Sequence, residues 1–338
     1  MNKREVVFCA LRHRRPPYVP WDLALSGAVQ KDVAGHFGKA DASEAIGNHF
    51  QYLSSAITHF KPDAQGILRD GFGVRWKAAE TGESFMSEGI VLEEPTLEGV
   101  RFPDPFRPEW YAHLPGELAK YPDRFRIFAI GYTLLERAWT LRGMENLMTD
   151  FGENPEFVHA LFDRITEVNL GQLEQALKLG FDCVHLGDDW GHQQGLLISP
   201  GMWREYIRPR YQRLFDFAKS KGLHLSIHSC GAVHPLFEDL IDMGLDLMNP
   251  FQPEAMDVHA LLPRYRGRLA FHGGLSTQQL LPRGTPDEVR AETRQLLEQG
   301  GGGGYIFAPG HGIDIDVPLN NTLAMIEVLH AQPGWRNR

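Results

Sequence analysis

Residues 182–231 read DCVHLGDDWGHQQGLLISPGMWREYIRPRYQRLFDFAKSKGLHLSIHSCG. Two short apolar runs, DCVHLGDD (182–189) and HLSIHSCG (224–231), flank PGMWREYIRPRYQRLFDFAKSKG (200–222). The middle segment has helical apolar spacing and stops at a lysine and a glycine. Short apolar strands joined by a helix predict a parallel β–α–β unit, its strands covered on both faces.

The same alternation extends in both directions. FRIFAIG (125–131) reads as a strand and VNLGQLEQALKLG (168–180) as a helix. Beyond HLSIHSCG come VHPLFEDLIDMG (helix), LDLMNPF (strand) and LAFHGGLS (strand). TPDEVRAETRQLLEQG (helix), YIFAPG (strand) and LNNTLAMIEVLH (helix) follow. Thr285 suits a helix N-cap and Pro286 the first turn. At least six strand–helix units emerge, and two more fit in the less regular N-terminal half. The predicted fold is a (β/α)8 TIM-type barrel with an irregular N-terminal elaboration. Residues 1–120 hold that elaboration and the first barrel elements without forming a separate domain, and 121–338 complete the barrel. A doubly wound sheet fits less well, because no GxGxxG follows an early strand. Glycines 300–304 read as a helix stop, since no Lys-Ser/Thr follows as in a phosphate loop.

Composition narrows the function classes. The net charge is −9, which offers no broad basic surface to a nucleic-acid backbone. Cys9, Cys183 and Cys230 are too sparse for a disulfide framework and suit a reducing compartment. The opening MNKREVVFCALRHRRPPYVPW lacks a signal-peptide core, and no apolar run reaches membrane-spanning length. A cytoplasmic protein acting on a small molecule is expected, with a homodimer open.

In a barrel of this kind, chemistry belongs at the C-terminal strand ends. Those ends carry Asp188 and Asp189, His228 and Cys230, Asn249 and Gln252, His272, and His311. His228 and Cys230 are two apart and so share a strand face. With His311 from the last strand they could form an open Cys/His2 zinc site. Alternatively, Cys230 is a small buried hydrophobe and the histidines only hydrogen-bond. Asp188 and Asp189 point opposite ways on a strand. One can face the pocket while the other caps the loop or helix beyond, or both belong to an acidic turn. Candidate catalytic residues are Asp188, Asp189 and His228. Candidate substrate-binding residues are Arg14, Arg15, Arg75, Glu136, His192, Gln193, Asn249, Gln252 and His272. Glu136 could also be an extra metal ligand, but it fits a helix surface charge somewhat better, and the Arg14–Arg15 pair reads equally well as a solvated N-terminus.

These residues carry a resemblance. GDDWGHQQGLLISPGMWREYIRPRYQRLFDFAKSKGLHLSIHSCG, LIDMGLDLMNPFQPEAMD and GGGGYIFAPGHGIDIDVPLNNTLAMIEVL resemble the uroporphyrinogen decarboxylase superfamily. DGFGVRWK and the Glu136 segment resemble earlier parts of its pattern. The superfamily includes zinc-dependent corrinoid and coenzyme M methyltransferases. RHRRPPYVPW departs from the arginine signature, close to RQAGRY, of the haem-pathway decarboxylases. H-x-C followed by APGHGI looks closer to the methyltransferase branch, with His311 where several members have cysteine. The resemblance therefore implies zinc on His228, Cys230 and His311. It also implies methyl transfer between a small substrate and a corrinoid carried by a partner protein. The alternative is decarboxylation of a carboxylated small molecule, expected to need a basic pocket built from Arg14, Arg15 or Arg75.

Overall fold

A computed structural model describes residues 1–62, 65–78 and 85–335. Seven parallel strands form one curled sheet in chain order. They are β1 (Phe50–Leu53), β2 (Phe125–Ile130), β3 (Cys183–Gly187), β4 (His224–His228), β5 (Leu247–Phe251), β6 (Ala270–Leu275) and β7 (Tyr305–Pro309). Register between neighbours is continuous, as in Ser226 opposite His185 and His228 opposite Asn249. It shifts only between Met248 and Phe251, where Pro250 has no N–H for the ladder.

The eighth stave is an irregular segment, 20–25. Phe307 N–H donates to Pro20 O (2.8 Å) and Asp22 N–H to Phe307 O (3.1 Å), tying it to β7. On its other side His49 N–H donates to Trp21 O, and the Asn48 amide pairs with both backbone groups of Leu23. A side-chain amide stands in for ladder bonds where Pro17 and Pro20 break strand regularity. One of the two strands expected in the N-terminal half is thus β1, and the other position is filled by this segment.

The period-two alternation of the strands separates two cores. Phe125, Ile127, Cys183, Leu247, Ala270 and Ile306 point inward and pack with Phe50. Helix α1 (Lys3–Leu11) inserts Val7 and Leu11 among them, stoppering the N-terminal end of the barrel. The alternate residues, such as Val184, Leu225, Ile227, Met248 and Phe271, face the surrounding helices. The interior is therefore apolar at its floor and polar toward its mouth.

Helices α2 (Leu135–Arg142), α3 (Pro155–Ala176), α4 (Arg208–Ser220), α5 (Phe237–Met243), α6 (Val258–Arg264), α7 (Pro286–Gly300) and α8 (Leu319–His330) lie outside the strands. Thr285 and Glu288 form a reciprocal cap on α7, with Pro286 in its first turn. The segment before α4 departs from a plain helix, because Trp203–Ile207 is a π-helical turn leading into Pro209. Proline cannot supply the next helical N–H, and the wider turn accommodates the gap.

Within the N-terminal elaboration, the stretch around Asp70 belongs to a four-stranded antiparallel ribbon. Part of it, 79–84, lies outside the described residues. The ribbon holds the turn that follows β2. Asp70 pairs with Arg137 at 2.6 Å, and both side chains are buried, at 0% and 1% exposure. Trp76 packs on Tyr132, with ring centroids 4.8 Å apart. Among the described residues no helix is long and apolar enough to cross a membrane.

Candidate active site at the barrel mouth

Asp188 and Asp189 take different roles, as strand alternation requires. Asp188 is fully buried and accepts from the N–H groups of Leu134 (3.3 Å), Leu135 (3.1 Å) and Glu136 (2.8 Å). It also accepts from Trp190 Nε1 (2.8 Å). These donors are free because the first turn of a helix has no intrahelical acceptors. Asp188 therefore fastens the start of α2 and faces away from the cleft, unlike the catalytic group expected from the sequence. Burial raises its carboxyl to about 6 despite four donors.

Fastening α2 sets Glu136 in the wall of the cleft. Burial, followed by the Asp188 and Asp189 charges, raises Glu136 to about 9. Asp189 turns toward β4, where its Oδ1 accepts from Cys230 N–H at 2.8 Å and lies 3.9 Å from His228 Nε2.

His228 is held by Asn249. The Asn249 Nδ2 donates to the backbone O of His272 (3.1 Å), an atom that can only accept. Asn249 Oδ1 must then be the partner of His228 Nδ1 at 2.7 Å, so that nitrogen carries the proton. In the neutral ring, Nε2 keeps a lone pair that accepts from the Cys230 thiol. It lies 3.4 Å from Cys230 Sγ. Burial, with Asp189 and Glu136 adding to it, pushes the Cys230 thiol up to about 12.

One ligand atom each from Asp189, His228 and Cys230 lies within 4.8 Å of the others. His311 falls outside this cluster. It is exposed on the rim, with its ring centroid 6.4 Å from that of His228. The group of possible ligands is thus completed by Asp189 of the neighbouring strand, where the sequence reading expected His311.

Two cavities meet at His185 and His228. One, of about 250 Å³, is lined by Tyr132, Glu136, His185, Asp189 and His228. The other, of about 310 Å³, is lined by Asp22, Tyr52, His185, His228, Asn249, His272 and His311. Burial pushes His272 down to about 3 and holds His185 well below the usual imidazole range. Among the described residues no arginine or lysine lines either lobe.

The other candidates lie elsewhere. Arg14 and Arg15 are exposed at the N-terminal end of the barrel, opposite the cleft. There Gly303, at φ 96°, allows the backbone of Arg14 to approach so closely that a Cβ would sit 2.5 Å from Arg14 O. Arg75 pairs with Glu88 (3.1 Å) on the ribbon and lines neither lobe. His192 and Gln193 are exposed on a small hairpin, where Gln193 donates to Gln278. Gln252 accepts from Gly231 N–H at 3.0 Å and so fixes the loop after Cys230 without lining the cleft.

The sequence reading passed over His185, Tyr52, Tyr132 and Asp22. His185 had a visible signal, since Cys183, His185 and Gly187 alternate onto one face of a strand. Asp22 had none, because PPYVPWDL carries no period.

Asp22 yields a stability prediction. Burial raises its carboxyl from the ordinary 3.8 to about 7, outweighing the Phe50 N–H that donates to it. The folded state binds this proton more tightly than the unfolded chain, so stability falls as pH rises from about 3.8 to about 7 and then levels. At about 1.4 kcal/mol per pKa unit, the loss is at most about 4 kcal/mol. Asp22→Asn keeps the acceptor and should remove this part of the pH dependence. Urea melts across the window check it, and equal losses in both proteins would refute it.

A parallel barrel gathering its titratable side chains at the C-terminal mouth is the architecture of a barrel enzyme. The chain belongs to the uroporphyrinogen decarboxylase family: the family model "Uroporphyrinogen decarboxylase (URO-D)" matches residues 133–332. It is 30% identical over 179 residues to a uroporphyrinogen decarboxylase of Thermus thermophilus, covering 51% of this chain and 48% of that one. It is 28% identical over 199 residues to that of Anaeromyxobacter dehalogenans, covering 58% and 54%. The chain spans about half the length of the curated relatives it matches. A solved methyltransferase from Methanosarcina mazei superposes with a TM-score of 0.75 over 97% of this chain and 98% of that one. Its identity is 20%, so this likeness concerns the fold. The expected placement nearer the methyltransferase branch is therefore corrected, because family model and curated relatives alike carry the decarboxylase name. The short H-x-C and APGHGI motifs weighed less than the longer pattern around them.

Proposed function

We propose that this protein is a decarboxylase of a small carboxylated molecule. The reading replaces methyl transfer, and the corrinoid carrier expected with it has no place here. The basic pocket expected of this alternative is not found among the described residues, since Arg14, Arg15 and Arg75 lie elsewhere; what supports the reading is the cleft wall, where the raised Glu136 carboxyl stands beside Asp189 and His228. When Asp189 holds no metal, a substrate carboxylate placed beside it loses water and meets a like charge. Loss of CO2 disperses that charge, so the strain is relieved as the bond breaks. The C–CO2 bond breaks, its electron pair stays on the substrate carbon, and the Glu136 carboxyl delivers a proton there. Solvent then reprotonates Glu136. The same lining disfavours a polycarboxylated tetrapyrrole and favours a substrate with few charges.

The Asp189, His228 and Cys230 donors suit zinc, combining carboxylate, imidazole and a thiol that would give up its proton to ligate as thiolate. When bound, zinc would polarise a substrate oxygen as a Lewis acid. Asn249 keeps the ring in the ligating tautomer. His228→Ala should abolish stoichiometric metal, and Asn249→Leu should weaken metal affinity by about 10- to 100-fold. Elemental analysis and competition with a chelating dye measure both; metal content unchanged in His228→Ala would remove these ligands from consideration.

The reaction itself is tested by incubating the protein with a mixture of small carboxylic acids, uroporphyrinogen included. Mass spectrometry then follows products that have lost CO2. Turnover of a substrate that keeps its carboxyl carbon would overturn the proposal.

A further inference from the structure

A second cavity, of about 380 Å³, lies beside β1 and shares Asp22 and Tyr52 with one lobe of the cleft. Its wall contains Arg124, Ser43, Gln51 and Tyr121. Arg124 is 3% exposed. Its guanidinium lies 3.6 Å over the Tyr121 ring, and Nη1 donates to Ser43 Oγ at 2.7 Å. Nε is buried without a partner, and Nη2 has no hydrogen bond among the described residues. No carboxylate among them hydrogen-bonds Arg124; Asp22 in the same wall and Asp41, to which the Tyr121 hydroxyl donates, act on it only through space.

A buried guanidinium normally has a counterion, since the ring face and one hydroxyl recover only part of its lost hydration. The free Nε–Nη2 edge is a side-on fork whose spacing matches the two oxygens of a carboxylate. Gln51 lies in the same wall. Its Nε2 donates to Glu117 O at 2.6 Å, which fixes the amide orientation and leaves Oε1 as a buried acceptor with no donor. The cavity wall thus leaves a guanidinium edge without a direct partner at one point and an acceptor without a donor at another.

We infer that this cavity is a binding site for a small hydroxy acid, its carboxylate on the Nε–Nη2 edge of Arg124 and its hydroxyl donating to Gln51 Oε1. The site does not rest on the decarboxylase reading. A volume near 380 Å³ is at the small end of ligand pockets and fits a few-carbon acid. Phosphate would use the same guanidinium but has a single buried cation to meet its charge, and so is disfavoured.

Calorimetric titration of the full chain with lactate, propionate and phosphate tests the inference. Lactate should bind saturably, and propionate, which lacks the hydroxyl, about tenfold more weakly. Gln51→Leu should bring lactate down to the propionate level. Arg124→Met should lose both acids, and Arg124→Lys should keep charge but lose most affinity with the fork. His228→Ala should leave lactate binding intact, which separates this site from the cleft. Should Arg124→Met not fold, Gln51→Leu decides alone. Lactate binding equally well to wild type and Gln51→Leu, no saturable lactate binding by the folded wild type, or phosphate binding more tightly would each overturn the inference.

Discussion

Glu136→Gln is expected to lower kcat for CO2 release by about 10²- to 10⁴-fold, the range of a positioned general acid. The amide keeps the size of the side chain and cannot supply the proton. Because the start of α2 is fastened by Asp188 through backbone N–H groups, the substitution leaves the cleft wall in place. KM should therefore change little while kcat collapses, and stability should be near that of wild type. Single-turnover CO2 release separates binding from chemistry. A variant retaining kcat within about threefold would mean that the proton comes from elsewhere.

The largest stability loss should come from Asp70→Ala. Arg137 is buried against Phe72, with its Cζ 4.2 Å from the ring centroid, and Asp70 is its ion-pair partner. Two further guanidinium nitrogens, Nε and Nη2, already lack partners. Removing the carboxylate strands a buried charge, at a cost of about 3–5 kcal/mol. It also frees the ribbon from α2, so kcat should fall as Glu136 loses its fixed place. Denaturant unfolding measures the first effect. The double variant Asp70→Leu, Arg137→Met should recover much of it, because no stranded charge is left. A loss below about 1 kcal/mol in Asp70→Ala would show that Arg137 has another means of neutralisation.

Much of the barrel was legible because its later units repeat a strong pattern of short apolar strand, then amphipathic helix. The first half was not, since one stave is a proline-interrupted segment held by Asn48 rather than by a ladder. The cleft was legible in so far as strand parity decides direction. It placed His228 and Cys230 on one face, and it required Asp188 and Asp189 to diverge. Parity could not reveal which aspartate turned inward, because that depends on α2 supplying free N–H groups to Asp188. Nor could it reveal that Asp189 stands closer to His228 than His311 does, since this follows from the register of β3 against β4. Arg14 and Arg15 were misplaced for a related reason. A basic pair near the N-terminus says nothing about which end of the barrel it reaches, and Gly303 and Gly304 draw it to the floor.

The Asn249 clamp carries one more consequence. The proton on His228 Nδ1 is dictated by a main-chain oxygen of β6, two strands away. Main-chain atoms persist through substitution, so with Asn249 kept, evolution could redesign the other side chains around the mouth without reversing that imidazole. Chemical diversification in such a scaffold would then run through the lobes, while the orientation of its central nitrogen stays inherited from the sheet.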